Sequence, residues 1–244
     1  MSDVIGFVLI FSLISLSIGF IYVSGLGGLE DTRDAERINN AERAFDVMAH
    51  NIEDLSEQGA PSRATELRLD DAQLSVSNEV YIEYRFVNNA DPTDTLTVNE
   101  SLRPIVYTGQ GDTSIVYEAG AVIREQADGS RMSRQPNFVL DKPVPVITIV
   151  DTRVSSPISV AGSRTVRVRA IHQGTTIASV EETNSDYTMW ISITSPRHDA
   201  WASYFEDEGV CEQGPTTTGK TVTCKVSPIE RGYVSIVGTT IEIE

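Results

Sequence analysis

Lysine is almost missing from this chain: Lys142, Lys220 and Lys225 are the only three, and every other basic residue apart from histidine is an arginine. With 19 Lys+Arg against 35 Asp+Glu the formal charge is −16. Such a field argues against nucleic acid as a partner, because duplex binding is driven by cations that displace phosphate counterions. Cysteine is nearly as scarce, with Cys211 and Cys224 alone, separated by EQGPTTTGKTVT. An even count in a segment placed outside the cytoplasm points to one disulfide closing a short loop, worth about 3 kcal/mol in the chain-entropy model; two free buried thiols are the alternative. The three histidines, His50, His172 and His198, lie far apart without ligand spacing, so neither a metal site nor a cofactor is implied.

Catalytic signatures are lacking as well. The chain has no nucleophile elbow, phosphate loop, dinucleotide fingerprint, zinc-protease helix or calcium loop, and no catalytic residue is assigned. Acidic pairs such as Asp70 and Asp71 or Glu181 and Glu182 read as solvated surface among so many carboxylates. DPTD, Asp91 to Asp94, reads as a turn rather than an ion site.

Charge of either sign is absent between Asp3 and Glu30. A helix needs about 20 apolar residues to cross a hydrocarbon core about 30 Å thick, and Val4 to Gly28 supplies that length. A secretory signal carries a basic n-region and a shorter apolar stretch, so the segment is expected to remain in the mature protein. Its large side chains are Val4, Ile5, Phe7, Val8, Leu9, Ile10, Phe11, Leu13, Ile14, Leu16, Ile18, Phe20 and Ile21. They are the candidate membrane anchor or assembly core.

Helix-forming residues continue beyond it. Ile38, Ala41, Phe45, Met48, Ile52 and Leu55 recur at spacings of three and four, one stripe of an amphipathic helix. Ile38, Phe45, Met48, Ile52 and Leu55 are the expected packing contacts with a domain, while Asp34, Arg37, Glu42, Arg43, Asp46 and Glu53 fall off the stripe. Gly25, Gly27 and Gly28 predict a bend or local melting where the two halves join, and Gly59 and Pro61 predict the end.

From about Thr65 the pattern turns to strands. YIEYRFV, SIVYEAG, VITIV, TVRVRAI, MWISI and VSIVGTTIEI are rich in β-branched and aromatic residues, separated by polar, glycine-containing stretches. One helix interrupts them in SPRHDAWASYFEDEG, where Ser195 can cap, Pro196 suits the first turn, Gly209 can end the run and Trp201, Tyr204 and Phe205 can anchor it. The expected fold is α+β: a long N-terminal helix, apolar in its first half and amphipathic in its second, packed on a C-terminal antiparallel β-domain. The corresponding units are 1–28, 29–60 and 61–244, with the short helix near 196–208. Arg164, Arg167 and Arg169 form the densest positive patch, read as a strand face paired within its own sheet or as a dock for an acidic neighbour. Asn99-Glu100-Ser101 is a sequon, expected on a loop as a glycan acceptor.

SDVIGFVLIFSLIS, followed by a glycine-interrupted amphipathic helix and a β-domain, resembles an archaeal type IV pilin, in particular the larger pilin-like proteins of haloarchaea. The acidic, lysine-poor composition agrees with life in near-saturated salt, where self-repulsion is screened within about 3 Å. The resemblance implies a subunit processed by a prepilin peptidase, held in the membrane by its N-terminal helix, then extracted by an ATPase-driven platform to polymerise with itself or other pilins. The expected location is the cell surface, as an extracellular filament. A non-polymerising membrane-anchored binding domain and an archaellin-like subunit are the alternatives. The family's short basic leader does not precede Met1, so the sequence is expected either to start near the mature terminus or to lack its leader.

Overall fold

The computed structural model describes residues 2–76, 79–154, 158–181 and 186–244, with the backbone alone at 2–3 and 23–31. One helix, α1 (Ser2–Glu57), carries both N-terminal segments. The local melting expected at Gly25, Gly27 and Gly28 is not found, for the backbone stays helical there. A glycine costs a helix about 1 kcal/mol, and extending a helix already formed adds one hydrogen bond per residue, so a long rod carries three of them. α1 stops at Glu57, and Gly59 follows with φ +64°.

The strands follow in order as β1 (Ser62–Arg68), β2 (Ala72–Val76), β3 (Val80–Asn88), β4 (Thr95–Leu102), β5 (Ile105–Thr108), β6 (Ser114–Glu118), β7 (Ala121–Gln126) and β8 (Gly129–Arg134). Then come β9 (Phe138–Val139), β10 (Val146–Arg153), β11 (Ile158–Gly162), β12 (Thr165–Glu181), β13 (Tyr187–Thr194), the helix α2 (His198–Glu208), β14 (Thr216–Thr218), β15 (Thr221–Ile229) and β16 (Arg231–Ile243). They form three sheets, ordered β1-β12-β16-β10-β9, β11-β2-β5-β6-β7-β8 and β14-β15-β13-β3-β4. The architecture is thus an apolar N-terminal helix with a large β-rich domain.

The expectation of a purely antiparallel domain needs one correction, because β10 and β16 run parallel from Val146↔Tyr233 to Arg153↔Thr240. Parallel neighbours need a long crossover rather than a hairpin, and here β11 to β15 lie between them in the chain. The other pairings among the described strands are antiparallel.

Two hydrophobic cores result. In one, α2 and the inner face of β3, β13 and β15 close on β9, β10 and β16 around Trp201, Phe205, Tyr84 and Phe86. The other lies between α1 and strands β1, β2, β5, β6, β7 and β12. β6 serves both, turning Val116 to the first core and Ile115 and Tyr117 to the second. A strand buried on both faces loses the polar alternation of a solvated one.

α2 begins later than its sequence suggests. Ser195 accepts the Arg197 N–H at 3.0 Å, a serine turn rather than a cap, and Arg197 stands at the helix boundary without a capping side chain. The Ala200 N–H instead donates to Ser130 Oγ of β8 at 3.2 Å. The C-terminal end is as expected, with Gly209 in the left-handed conformation at φ 64°. Cys211 and Cys224 are joined in a disulfide that ties the loop after α2 to β15.

A candidate assembly surface on the N-terminal helix

The amphipathic half of α1 is seated as its stripe predicts. Ile38, Ala41, Phe45, Met48, Ala49, Ile52 and Leu55 are buried against the sheets. Burying a large apolar side chain is worth about 1.5–3 kcal/mol, so the stripe alone anchors the rod firmly. Residues flanking the stripe are tied down as well. Arg134 donates to Asp46 at 2.8 Å and to Glu53 at 2.7 Å, Arg124 to Glu42 at 3.3 Å, and Arg63 to Asp54 at 3.3 Å. Individually such pairs are worth about 0–1 kcal/mol, so they fix the helix's rotation more than its stability.

The apolar half has no such seat. Among the described residues, Val4–Tyr22 is the one stretch long and apolar enough to cross a membrane, and none of it is buried. Its large side chains range from 51 % exposure at Ile14 to 75 % at Leu16, on every face of the helix. What polarity it has is partly hidden, since the Ser17 hydroxyl donates to the Leu13 carbonyl at 2.9 Å. At a rise of 1.5 Å per residue the stretch spans about 28 Å, close to a hydrocarbon core. A helix that is apolar all round has the composition of a buried or membrane-spanning one, and this stretch is not buried within the chain.

Elsewhere the sequence-level candidates are distributed without convergence. Asn99 is exposed on β4 at a sheet edge rather than on a loop, because the TLTVNESL run pairs with β3. Asp91 accepts the backbone N–H and hydroxyl of Thr93 at 3.0 and 2.6 Å, and Asp94 accepts from Asn88 at 3.1 Å, so DPTD is a turn that consumes its own carboxylates. Those bonds from Thr93 hold the Asp91 carboxyl below its usual range. Arg167 pairs with Glu66 and Glu244, and Arg169 with Glu242, while Val166, Val168 and Ala170 are buried behind them. Asp70 meets Arg68 at 2.6 Å, Asp71 accepts from Ser163, and Glu181 faces Arg231 at 3.6 Å; Glu182 lies outside the described residues. Among the described residues no three His, Cys, Asp or Glu side chains gather as metal ligands.

Two carboxylate clusters have no local signature in the sequence. Glu118, fully buried at the end of β6, accepts Arg197 Nε at 2.7 Å and Trp201 Nε1 at 2.7 Å. Arg197 reaches on to Glu125 at 3.3 Å, so α2 is latched to the β6–β7 hairpin. In the second cluster, Arg153 bridges buried Asp151 and Glu100. Asp151 Oδ1 is buried without a hydrogen-bond partner among the described residues. Burial first, and the Asp151 charge second, push the Glu100 carboxyl above its ordinary value against the pull of Arg153.

A raised folded-state pKa means that the native protein holds the Glu100 proton at pH values where the unfolded chain has released it. Stability from this group is therefore full below the unfolded pKa and falls as pH rises through the folded one. Glu100→Gln is expected to flatten that fall, read from melting temperatures between about pH 4 and pH 7. An unchanged slope would remove Glu100 from the account.

The chain belongs to the family of unknown function DUF7289, whose model matches residues 1–244. No curated protein and no solved structure is significantly similar to it.

Proposed function

We propose that the chain is a structural subunit of a cell-surface filament of the type IV pilus kind. It polymerises through Val4–Tyr22 and turns its β-domain to the medium for adhesion or other surface contact. The observation that carries this reading is a helix apolar around its whole circumference, continuous with a segment docked firmly on a folded domain. Inside lipid such a helix gains little from packing with its own kind, since acyl chains are equally apolar. Drawn out of lipid, it must bury its entire surface against copies of itself, at about 1.5–3 kcal/mol for each large side chain. Assembly follows once a machine performs the extraction. On this reading the partners are sister subunits or other pilins, a prepilin peptidase, an assembly ATPase with its platform, and the membrane before assembly. The exposed Asn99 on β4 is open to a glycan.

A second reading is favoured by the length of the apolar stretch, which fits one bilayer crossing: a membrane-anchored β-domain that never polymerises. Sheared cell-surface material, negatively stained and typed by the mass of its N-terminal peptide, separates the two. Ordered filaments containing residues 4–22 support assembly, and strict retention as a monomer in detergent-solubilised membrane overturns it.

A further inference from the structure

β12 changes neighbours halfway along its length. Over Thr165–Ile171 it pairs with β1, and from Val168 onward with β16 on its other side. The ladder is irregular between His172 and Gly174, where Gly174 takes φ +136°, and the strand then continues to Glu181 beside β16 alone. Among the described residues no strand and no further backbone hydrogen bond lies on its other side.

An open edge of this length is ordinarily blunted by lysine, proline or inward-pointing charge. The segment QGTTIASV, Gln173 to Val180, has none of these and no charge at all, in a chain of net charge −16. It is rich in β-branched residues, and Ile177 stands 67 % exposed on it.

We propose that this edge is a self-pairing site at which two copies of the chain join β12 to β12, antiparallel about a local twofold axis, to form one continuous sheet. Three observations favour a second copy as the occupant. An acidic chain repels its own copies over most of its surface, and this uncharged run is where two backbones can approach to the strand spacing of about 4.8 Å. Pairing centred on Ile177 sets Glu181 of one copy against Gln173 of the other, so no two carboxylates face each other. Finally, the edge sits at the pole away from the apolar helix. α1 and β1 run antiparallel, with Asp54 against Arg63 and Asn51 against Thr65. The open part of β12 extends past Ser62, the start of β1, toward the end of the domain where α1 stops at Glu57, and Val4–Tyr22 leaves at the opposite pole. Copies held by their apolar helices, in lipid or in a filament, keep this edge outward and free to join neighbouring assemblies side by side.

The test uses the whole chain inserted one copy per lipid nanodisc, at about 0.15 M salt, where the Debye length of about 8 Å leaves charges facing each other across a strand pair in contact, with disc pairing followed by sedimentation velocity. Enclosing each apolar helix in its own disc leaves the domain as the route to association. Native discs are expected to pair as concentration rises. Ile177→Lys, at a side chain outside both cores, is expected to weaken pairing by about tenfold or more, because it brings like charges together across the strand pair. Mixing Ile177→Lys discs with Ile177→Glu discs is expected to restore it. Discs that stay single at every concentration, or an Ile177→Lys protein that pairs like the native one, overturn the proposal. Neither result bears on the filament reading, which is decided on native surface material.

Discussion

Arg197→Ala is expected to destabilise the folded domain by about 3–5 kcal/mol, because it leaves a buried carboxylate without its cation. Glu118 is fully buried and takes one hydrogen bond from Arg197 and one from Trp201. Once the guanidinium is gone, a single indole N–H must support a charge that has no access to water, and the start of α2 loses its tie to β6. At about 2–4 °C of melting temperature per kcal/mol for a domain of this size, the fall is on the order of 10 °C. Thermal unfolding followed by circular dichroism at neutral pH reads it directly. Glu118→Gln in the Arg197→Ala background is the informative companion, since it keeps a hydrogen-bond acceptor for Trp201 while removing the orphaned charge. That double variant is expected to recover part of the loss. A loss below about 1 kcal/mol in the single variant, the size of an exposed ion pair, would mean that the latch contributes no more than surface charge does.

The latch also marks the limit of what the chain discloses before folding. The helical stripe from Ile38 to Leu55 was legible because a period of 3.6 is written into neighbouring residues, and its members are buried as the period requires. The major strands were legible for the same reason at period two, down to the burial of Val166, Val168 and Ala170 behind Arg167 and Arg169. Glu118 and Arg197 are 79 positions apart, and no local pattern brings them together. β10 beside β16 is equally non-local, and a parallel pair has no hairpin turn to announce it. The second half of β12 is hidden in the sequence for a different reason. HQG after TVRVRAI has the composition of a turn, yet Gly174 uses its conformational freedom for a bulge and the strand runs on. Ser195 is ambiguous in the same way, since a serine before a helix can accept a turn N–H as readily as a capping one.

Leu13→Ala is expected to leave membrane anchoring intact and to abolish or sharply reduce filaments, and this difference is what the filament reading stands on. Leu13 lies at the midpoint of Val4–Tyr22 and is 68 % exposed on the isolated subunit. In lipid, a central leucine contributes only about 0.3–0.6 kcal/mol to insertion, and the remaining large apolar side chains still hold the helix in place. Fluid acyl chains also fill the space that the shorter side chain leaves. Packed sister helices cannot do so, and truncating a buried leucine to alanine in a close-packed core costs about 2–5 kcal/mol. At about 1.4 kcal/mol per factor of ten, the mid-range cost raises the concentration of unassembled subunit about a hundredfold or more at equilibrium with filament ends. The paired measurements are the amount of chain in the membrane fraction and the number of filaments on the same cells. Filaments undiminished in Leu13→Ala cells would show that this side chain is not packed in an assembled core. A membrane fraction depleted of the variant would instead show that the substitution acts before assembly begins.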